Sequence, residues 1–153
     1  MKSLHSLFKT DNSTAPLIAR LALGLVIFPH GAQKALGWFG GYGFDGTMGF
    51  FTGTLGIPAL FAFLVIAAEF AGSIGLVFGF LSRVSAFGIA AVMAGAITMA
   101  HKGNGFFMNW TGQQSGEGFE YHLLVLGLAL IVLIHGAGKA SLDSLVAKRL
   151  SQD

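Results

Sequence analysis

The chain has 153 residues, 54% of them hydrophobic and only 10% charged, where a soluble domain of this size carries about 25% charged residues. A net charge of +2, with no basic cluster interleaved with aromatics, excludes a nucleic-acid-binding reading. The absence of cysteine excludes disulfides, dithiol redox chemistry, thiolate metal sites and covalent haem attachment.

A mean hydropathy of +0.71 and long blocks free of charge place the chain in a membrane, as one domain covering residues 1–153 with no large soluble head. The polar lead "MKSLHSLFKTDNSTAP" runs into a full-length apolar block. A secretory signal would carry a shorter apolar core and a small-residue cleavage site, so an uncleaved first helix is expected. Apolar blocks at about 16–36, 59–81, 84–101 and 120–138 each approach the ~20 residues that cross a hydrocarbon core. Only "LSRV" separates the second from the third, which predicts a tight antiparallel hairpin. The other two connections, "GWFGGYGFDGTMGFFTGTLGIP" and "KGNGFFMNWTGQQSGEGF", are rich in Gly and aromatics.

Lys2, Lys9, Arg83, Lys139, Lys148 and Arg149 fall on the side holding both termini, against Lys102 alone on the other, so both termini are expected in the cytoplasm. Trp38, Phe39, Tyr42, Phe44, Phe106, Phe107 and Trp110 then form an aromatic belt at the outer interface. In the first block Arg20, Gly24, Ile27, Gly31 and Lys34 share one helical face, and glycines punctuate the other blocks. Small residues allow close helix approach in lipid. The prediction is an all-α, up-down-up-down membrane four-helix bundle. The tail at 141–150 places Leu142, Leu145, Val146 and Leu150 at amphipathic spacing, as in a helix lying along the membrane surface.

Five His and seven acids exceed what inert anchors need. Glu69 falls near the middle of the second block, too deep for its short side chain to reach either surface. It must be protonated, paired or beside water; a neutral carboxyl hydrogen-bonded between helices is the bland reading, and a functional carboxylate the sharper one. His30 and Lys34 stand one turn apart near the outer end of the first block, just past Pro29. Lys34 can snorkel outward, and a lone His30 reads as a core histidine. The topology nonetheless brings His101, and Glu120 and His122 of "GFEYH", to the same membrane half. The expectation is a polar pocket of His30, Lys34, His101, Glu120 and His122, with Glu69 below. Arg20 and His135 lie toward the cytoplasmic half; Arg20 either snorkels or finds an acid such as Glu69 inside the bundle. Arg83 reads as a positive-inside anchor in the hairpin.

"RLALGLVIFPHGAQKALGWFGG", the lone membrane acid followed by "GLVFGFLSRVSAFG", "MAHKGNGFF", "GFEYHLL" and "GAGKASLD" occur in that order, and together they resemble the DoxX/DoxD membrane family from about Arg20 to Asp143. The matching motif positions are Arg20, His30, Gly31, Lys34, Glu69, Arg83, His101, Glu120, Gly138, Ser141 and Asp143. The resemblance implies a four-helix protein of the bacterial inner membrane. DoxD-type relatives act as a subunit of thiosulfate:quinone oxidoreductase, and other DoxX-like proteins are linked to membrane redox or detoxification complexes. This chain lacks the cysteines that related methylamine-utilisation membrane proteins carry.

Three functions follow as expectations. The first is a quinone-interacting oxidoreductase subunit. Glu69, His30 and Glu120 would do proton chemistry, and Lys34, His101, His122 and Arg20 would hold the ligand. Since no side chain here stores electrons, a soluble or membrane redox partner is part of that expectation. The second is a metal or haem held by His30, His101, His122, Glu69 and Glu120, although no E-x-x-H pair occurs. The third is a non-enzymatic carrier or an anchor for a soluble partner. The lipid bilayer is the surrounding in all three, and a homodimer would enlarge the room for a ligand.

Overall fold

The computed structural model describes residues 6–152, so Lys2, counted above among the cytoplasmic cations, lies outside the described residues. Among the described residues all regular structure is helical.

Helix α1 (Thr14–Leu36) is 23 residues long, about 34 Å at 1.5 Å per residue. Pro16 sits in its first turn, where a missing N–H leaves no bond unmade, and Gly37 closes it in the left-handed region at φ 73°. Pro29 is accommodated inside the helix. The first Gly-aromatic connection is not wholly irregular. It folds into a short helix, α2 (Gly43–Gly49), continued by a π-helical turn over Phe50–Thr54. Asp45 in the first turn of α2 favours its N-terminus, and Phe44 docks edge-on to Phe63 with ring centroids 6.4 Å apart.

Helix α3 (Ala59–Phe78) ends three residues before the predicted 81 because Gly79 turns the chain at φ 66°. Helix α4 (Ser82–Ala96) begins two residues earlier than predicted: the Asp143 carboxylate accepts from the N–H groups of Leu81 (2.7 Å) and Ser82 (2.9 Å), capping its free donors. It runs on into a π-helical turn over Ile97–His101. Helix α5 (Glu120–His135) has 16 residues, about 24 Å, and stops short of the expected 138 because Gly136 and Gly138 adopt φ of 79° and 73°. Three helical stretches, α1, α3 and Ser82–Asn104, are long and apolar enough to cross a membrane; α5 is apolar but shorter. Helix α6 (Leu142–Leu150) starts at Ser141, whose Oγ accepts from the Ser144 N–H, and leaves Leu142 and Leu145 exposed.

Helix α1 packs on α3 and α5, and α4 packs on the same two, around a core to which all four contribute, including Leu23, Ile27, Leu76, Ile89, Met93, Val125 and Val132. Leu25, Phe61, Phe87, Leu124 and Leu130 point outward. That much exposed apolar surface marks a lipid-facing exterior. The shared face of α1 is buried from Arg20 through Gly31. A Cβ on Gly24 would meet Ser73 O at 2.9 Å, and one on Gly31 would meet Phe70 N at 2.5 Å and Glu69 O at 2.6 Å, so the backbones of α1 and α3 cross in direct contact.

Arg20 corrects one expectation. It neither snorkels nor pairs with Glu69: it is 1% exposed and donates to five main-chain oxygens. These are Leu76 (2.8 Å) and Val77 (2.7 Å) at the end of α3, and Ala137 (2.8 Å), Lys139 (3.2 Å) and Ala140 (2.7 Å) after α5. The guanidinium thereby satisfies carbonyls that a helix end leaves free, which a planar fork of five donors does well. Arg83 works similarly, donating to Leu133 O (3.0 Å), Ile134 O (3.1 Å) and Lys9 O. Asp11 pairs with His135 at 2.6 Å on the same end.

Candidate functional site

At the crossing of α1 and α3 the Lys34 ammonium donates to Glu69 Oε2 at 2.6 Å. The glutamate side chain is 5% exposed and the lysine's 25%. Gly31 makes this pair attainable, since any side chain there would wedge the two helices apart directly beneath it. Leaving either charge buried without the other costs about 3–5 kcal/mol. The Lys34 ammonium also lies 3.5 Å from the His30 carbonyl, its own helix turn.

A second group forms where α5 begins. The rings of His101 and His122 lie 4.2 Å apart at centroids, tilted by 46°. His101 is carried there by the π-helical turn that ends α4; such turns alter which way a helix presents its last side chains. Its Nδ1 is 2.9 Å from the Glu117 carbonyl, an acceptor only, so Nδ1 carries the proton and Nε2 is the basic nitrogen of the neutral ring. His122 is 6% exposed, and the Tyr121 hydroxyl is buried without a hydrogen-bond partner. Tyr121 sits 5.7 Å from His122 ring to ring. An unpaired buried polar atom costs free energy, and the Tyr121 hydroxyl is one such atom inside the bundle.

The structure thus brings Lys34 to Glu69 and His101 to His122, and leaves three expected members apart. His30 is exposed on α1, and its side chain makes no hydrogen bond among the described residues. Glu120 turns to the loop before it, where Oε1 accepts from Met108 N at 2.8 Å and Trp110 Nε1 at 3.2 Å, fastening the second Gly-aromatic connection rather than lining the pocket. Arg20 belongs to the opposite end. Among the described residues no three His, Asp or Glu side chains gather as metal ligands. Sequence reasoning passed over Tyr121, although it stands between two residues singled out in "GFEYH"; a phenol inside an apolar block is the signal that was available.

Comparison with known proteins bears on the same segments. The DoxX family model matches residues 15–102, more than half of the chain, including Arg20, Lys34, Glu69 and His101. CatD of Bacillus subtilis (strain 168), which carries the provisional name of an oxidoreductase, is 29% identical over 132 residues, covering 86% of this chain and 87% of CatD. The inner membrane protein YqjF of Escherichia coli (strain K12) is 27% identical over 133 residues, covering 87% of this chain and 92% of YqjF. No solved structure gives a significant match. Apolar helices of crossing length, a lipid-facing exterior and the family match agree: the chain is a multi-pass membrane protein of the DoxX family.

Proposed function

We propose that the chain is the membrane subunit of a quinone-linked oxidoreductase in the bacterial inner membrane, binding a quinone head group beside the Lys34–Glu69 pair. In this reading its four long helices form an up-down-up-down bundle with both termini on the cytoplasmic side. The positive charges at 9, 83, 139, 148 and 149 support that orientation. Residence in the inner membrane is supported by the match to YqjF, and the oxidoreductase assignment draws on the name of CatD.

The observation that carries the reading is the buried Lys34–Glu69 ion pair, with the Tyr121 hydroxyl buried in the bundle and without a hydrogen-bond partner. A quinone fits that donor set. It has a flat apolar body for the helix-lined interior and two carbonyl oxygens that need donors, which the Lys34 ammonium and the Tyr121 hydroxyl supply. When bound, a quinone supplies the capacity to take up two electrons and two protons that no side chain here has. Lys34 would orient the head group and offset negative charge on it; Glu69, freed from Lys34, would hold a proton; the apolar walls of α1, α3 and α5 would keep bulk water out. Electrons would come from a partner protein.

The test is native mass spectrometry of the protein released from mild detergent, with extracted quinone counted per chain. The reading expects a quinone-sized adduct that is lost in Lys34→Met and weakened in Tyr121→Phe. A bare polypeptide mass, together with no shift in melting temperature on adding quinone, would refute it. The exposed aromatics Trp38, Phe39, Tyr42, Phe107 and Trp110 favour a second reading, an anchor that holds a soluble partner by its outer loops. It predicts that loop substitutions abolish partner capture while Lys34→Met does not.

A further inference from the structure

We propose that α6 and the end of α3 form a binding site for one anionic phospholipid, its acyl chain lying against Phe78, Leu142 and Leu145 and its phosphate against Lys148 and Arg149. The argument starts from where α6 is held. The Asp143 N–H donates to the Gly79 carbonyl at 2.8 Å, and the Asp143 carboxylate caps Leu81 and Ser82. A Cβ on Gly79 would meet Ser141 Cβ at 2.5 Å, so the start of α6 rests directly on the turn that ends the crossing helix α3. A helix pinned at that height lies where hydrocarbon gives way to head groups.

This junction leaves a hollow of about 280 Å³, lined by Phe78, Ala140, Ser141, Leu142, Ser144 and Leu145. Its apolar wall is open: Phe78 is 61% exposed, Leu145 56% and Leu142 44%. At 3.6 residues per turn Leu142, Leu145 and Arg149 share one face of α6 with Lys148 beside them, while the buried Asp143 lies on the face turned to the protein. Lys148 and Arg149 are three and four positions beyond Leu145, so they stand one turn from the wall. Their long stems run along apolar surface and keep the charge at head-group level.

Charge selects the occupant. The side chains of Lys139, Lys148 and Arg149 are exposed, and among the described residues they make no ion pair. The one acid of α6, Asp143, is 2% exposed and engaged in capping, so nothing on this face offsets the cations. A soluble anion would use the cations and leave Phe78 and both leucines uncovered. A zwitterionic lipid would cover the wall but bring its own cation to Lys148 and Arg149. An anionic phospholipid satisfies both parts. The site lies at the opposite end of the bundle from the Lys34–Glu69 pair and is independent of the quinone reading.

The experiment is native mass spectrometry of the full chain in mild detergent, with equal amounts of phosphatidylglycerol and phosphatidylcholine carrying the same acyl chains. Wild type should retain one phosphatidylglycerol at the lowest lipid level, preferred by roughly fivefold or more, the contribution of a single cation near a membrane surface. Lys148→Gln with Arg149→Gln should abolish that preference, and Lys102→Gln, at the other end, should keep it. Leu145→Ser should lower retention of both lipids by a similar factor. Melting temperature checks that each variant is folded. Equal retention of the two lipids by wild type, an unchanged preference in the double variant, the same loss in Lys102→Gln, or displacement by inorganic phosphate at matched ionic strength would each overturn the proposal. Because the chain has no cysteine, a nitroxide on Leu145→Cys gives a second readout in vesicles of the same two lipids. It should be relaxed more by oxygen, which partitions into hydrocarbon, than by an aqueous nickel chelate, and the reverse would also overturn the proposal. Phospholipid and quinone adducts differ in mass, so this reading and the quinone reading fall separately.

Discussion

Replacing Arg20 by Lys keeps a positive charge in place and removes the geometry. The guanidinium holds carbonyls of two separate segments: Leu76 and Val77 at the end of α3, and Ala137, Lys139 and Ala140 beyond α5. A lysine ammonium has three donors radiating from one atom, so it cannot reproduce five bonds spread over both segments. At least two charge-assisted bonds are lost, each contributing about 1.5–3 kcal/mol, which gives about 3–6 kcal/mol of destabilisation. Leu76 and Ala137 are buried, so water does not replace the donors lost there, whereas Lys139 and Ala140 are exposed. Denaturant titration in detergent, followed by helical circular dichroism, measures the total. Limited proteolysis reads where the loss falls, and cleavage should rise first around residues 137–143. A change below about 1 kcal/mol, or unchanged proteolysis of that segment, would refute the account of Arg20 as the clasp joining the two ends.

Further outcomes follow from the half that holds Lys34 and Glu69. Lys34→Met should destabilise by about 3–5 kcal/mol by leaving the Glu69 charge unpaired, and Lys34→Met with Glu69→Leu should recover most of it, which a double-mutant cycle on unfolding midpoints will show. Gly31→Ala should cost about 1–3 kcal/mol and also weaken the Lys34–Glu69 coupling, because its Cβ would push on Phe70 N and Glu69 O; an unchanged coupling energy would show that the helices do not separate there. Glu120→Gln should loosen the connection over residues 106–119, seen as faster proteolysis and altered Trp110 fluorescence, while quinone content stays at the wild-type level.

The helical class, the tight turn between α3 and α4 and the packing face of α1 were legible because lipid imposes blunt rules. Apolar length marks a helix, and small residues at 3.6-residue spacing mark a close crossing. That a mid-helix acid such as Glu69 needs compensation was legible too, but its partner is Lys34 and not the expected Arg20. What could not be read were the ends of the helices and the use of polar groups for capping. Gly79, Gly136 and Gly138 shorten α3 and α5 through their backbone angles, whereas hydropathy continues past them. Glu120, Arg20 and Asp143 look alike in sequence to pocket residues. Whether a charged side chain meets a ligand or a main-chain carbonyl depends on contacts more than a hundred positions away, as with Arg20 and Ala137, and no local pattern records them.

The clasp at Arg20 also dictates an order of events during synthesis. Its acceptors after α5 lie 117 to 120 positions later in the chain, so at about 5–20 residues per second the ribosome needs on the order of 6–24 s to deliver them. Until they arrive, Arg20 has at most its two acceptors at the end of α3, Leu76 and Val77. The α3–α4 hairpin likewise waits for Asp143 before the N–H groups of Leu81 and Ser82 are capped. The end of the molecule that holds Arg20 and Asp143 is therefore the last part to set. A chain released before Ala137 would have its helices made and neither the Arg20 contacts beyond α5 nor the Asp143 cap to hold that end together.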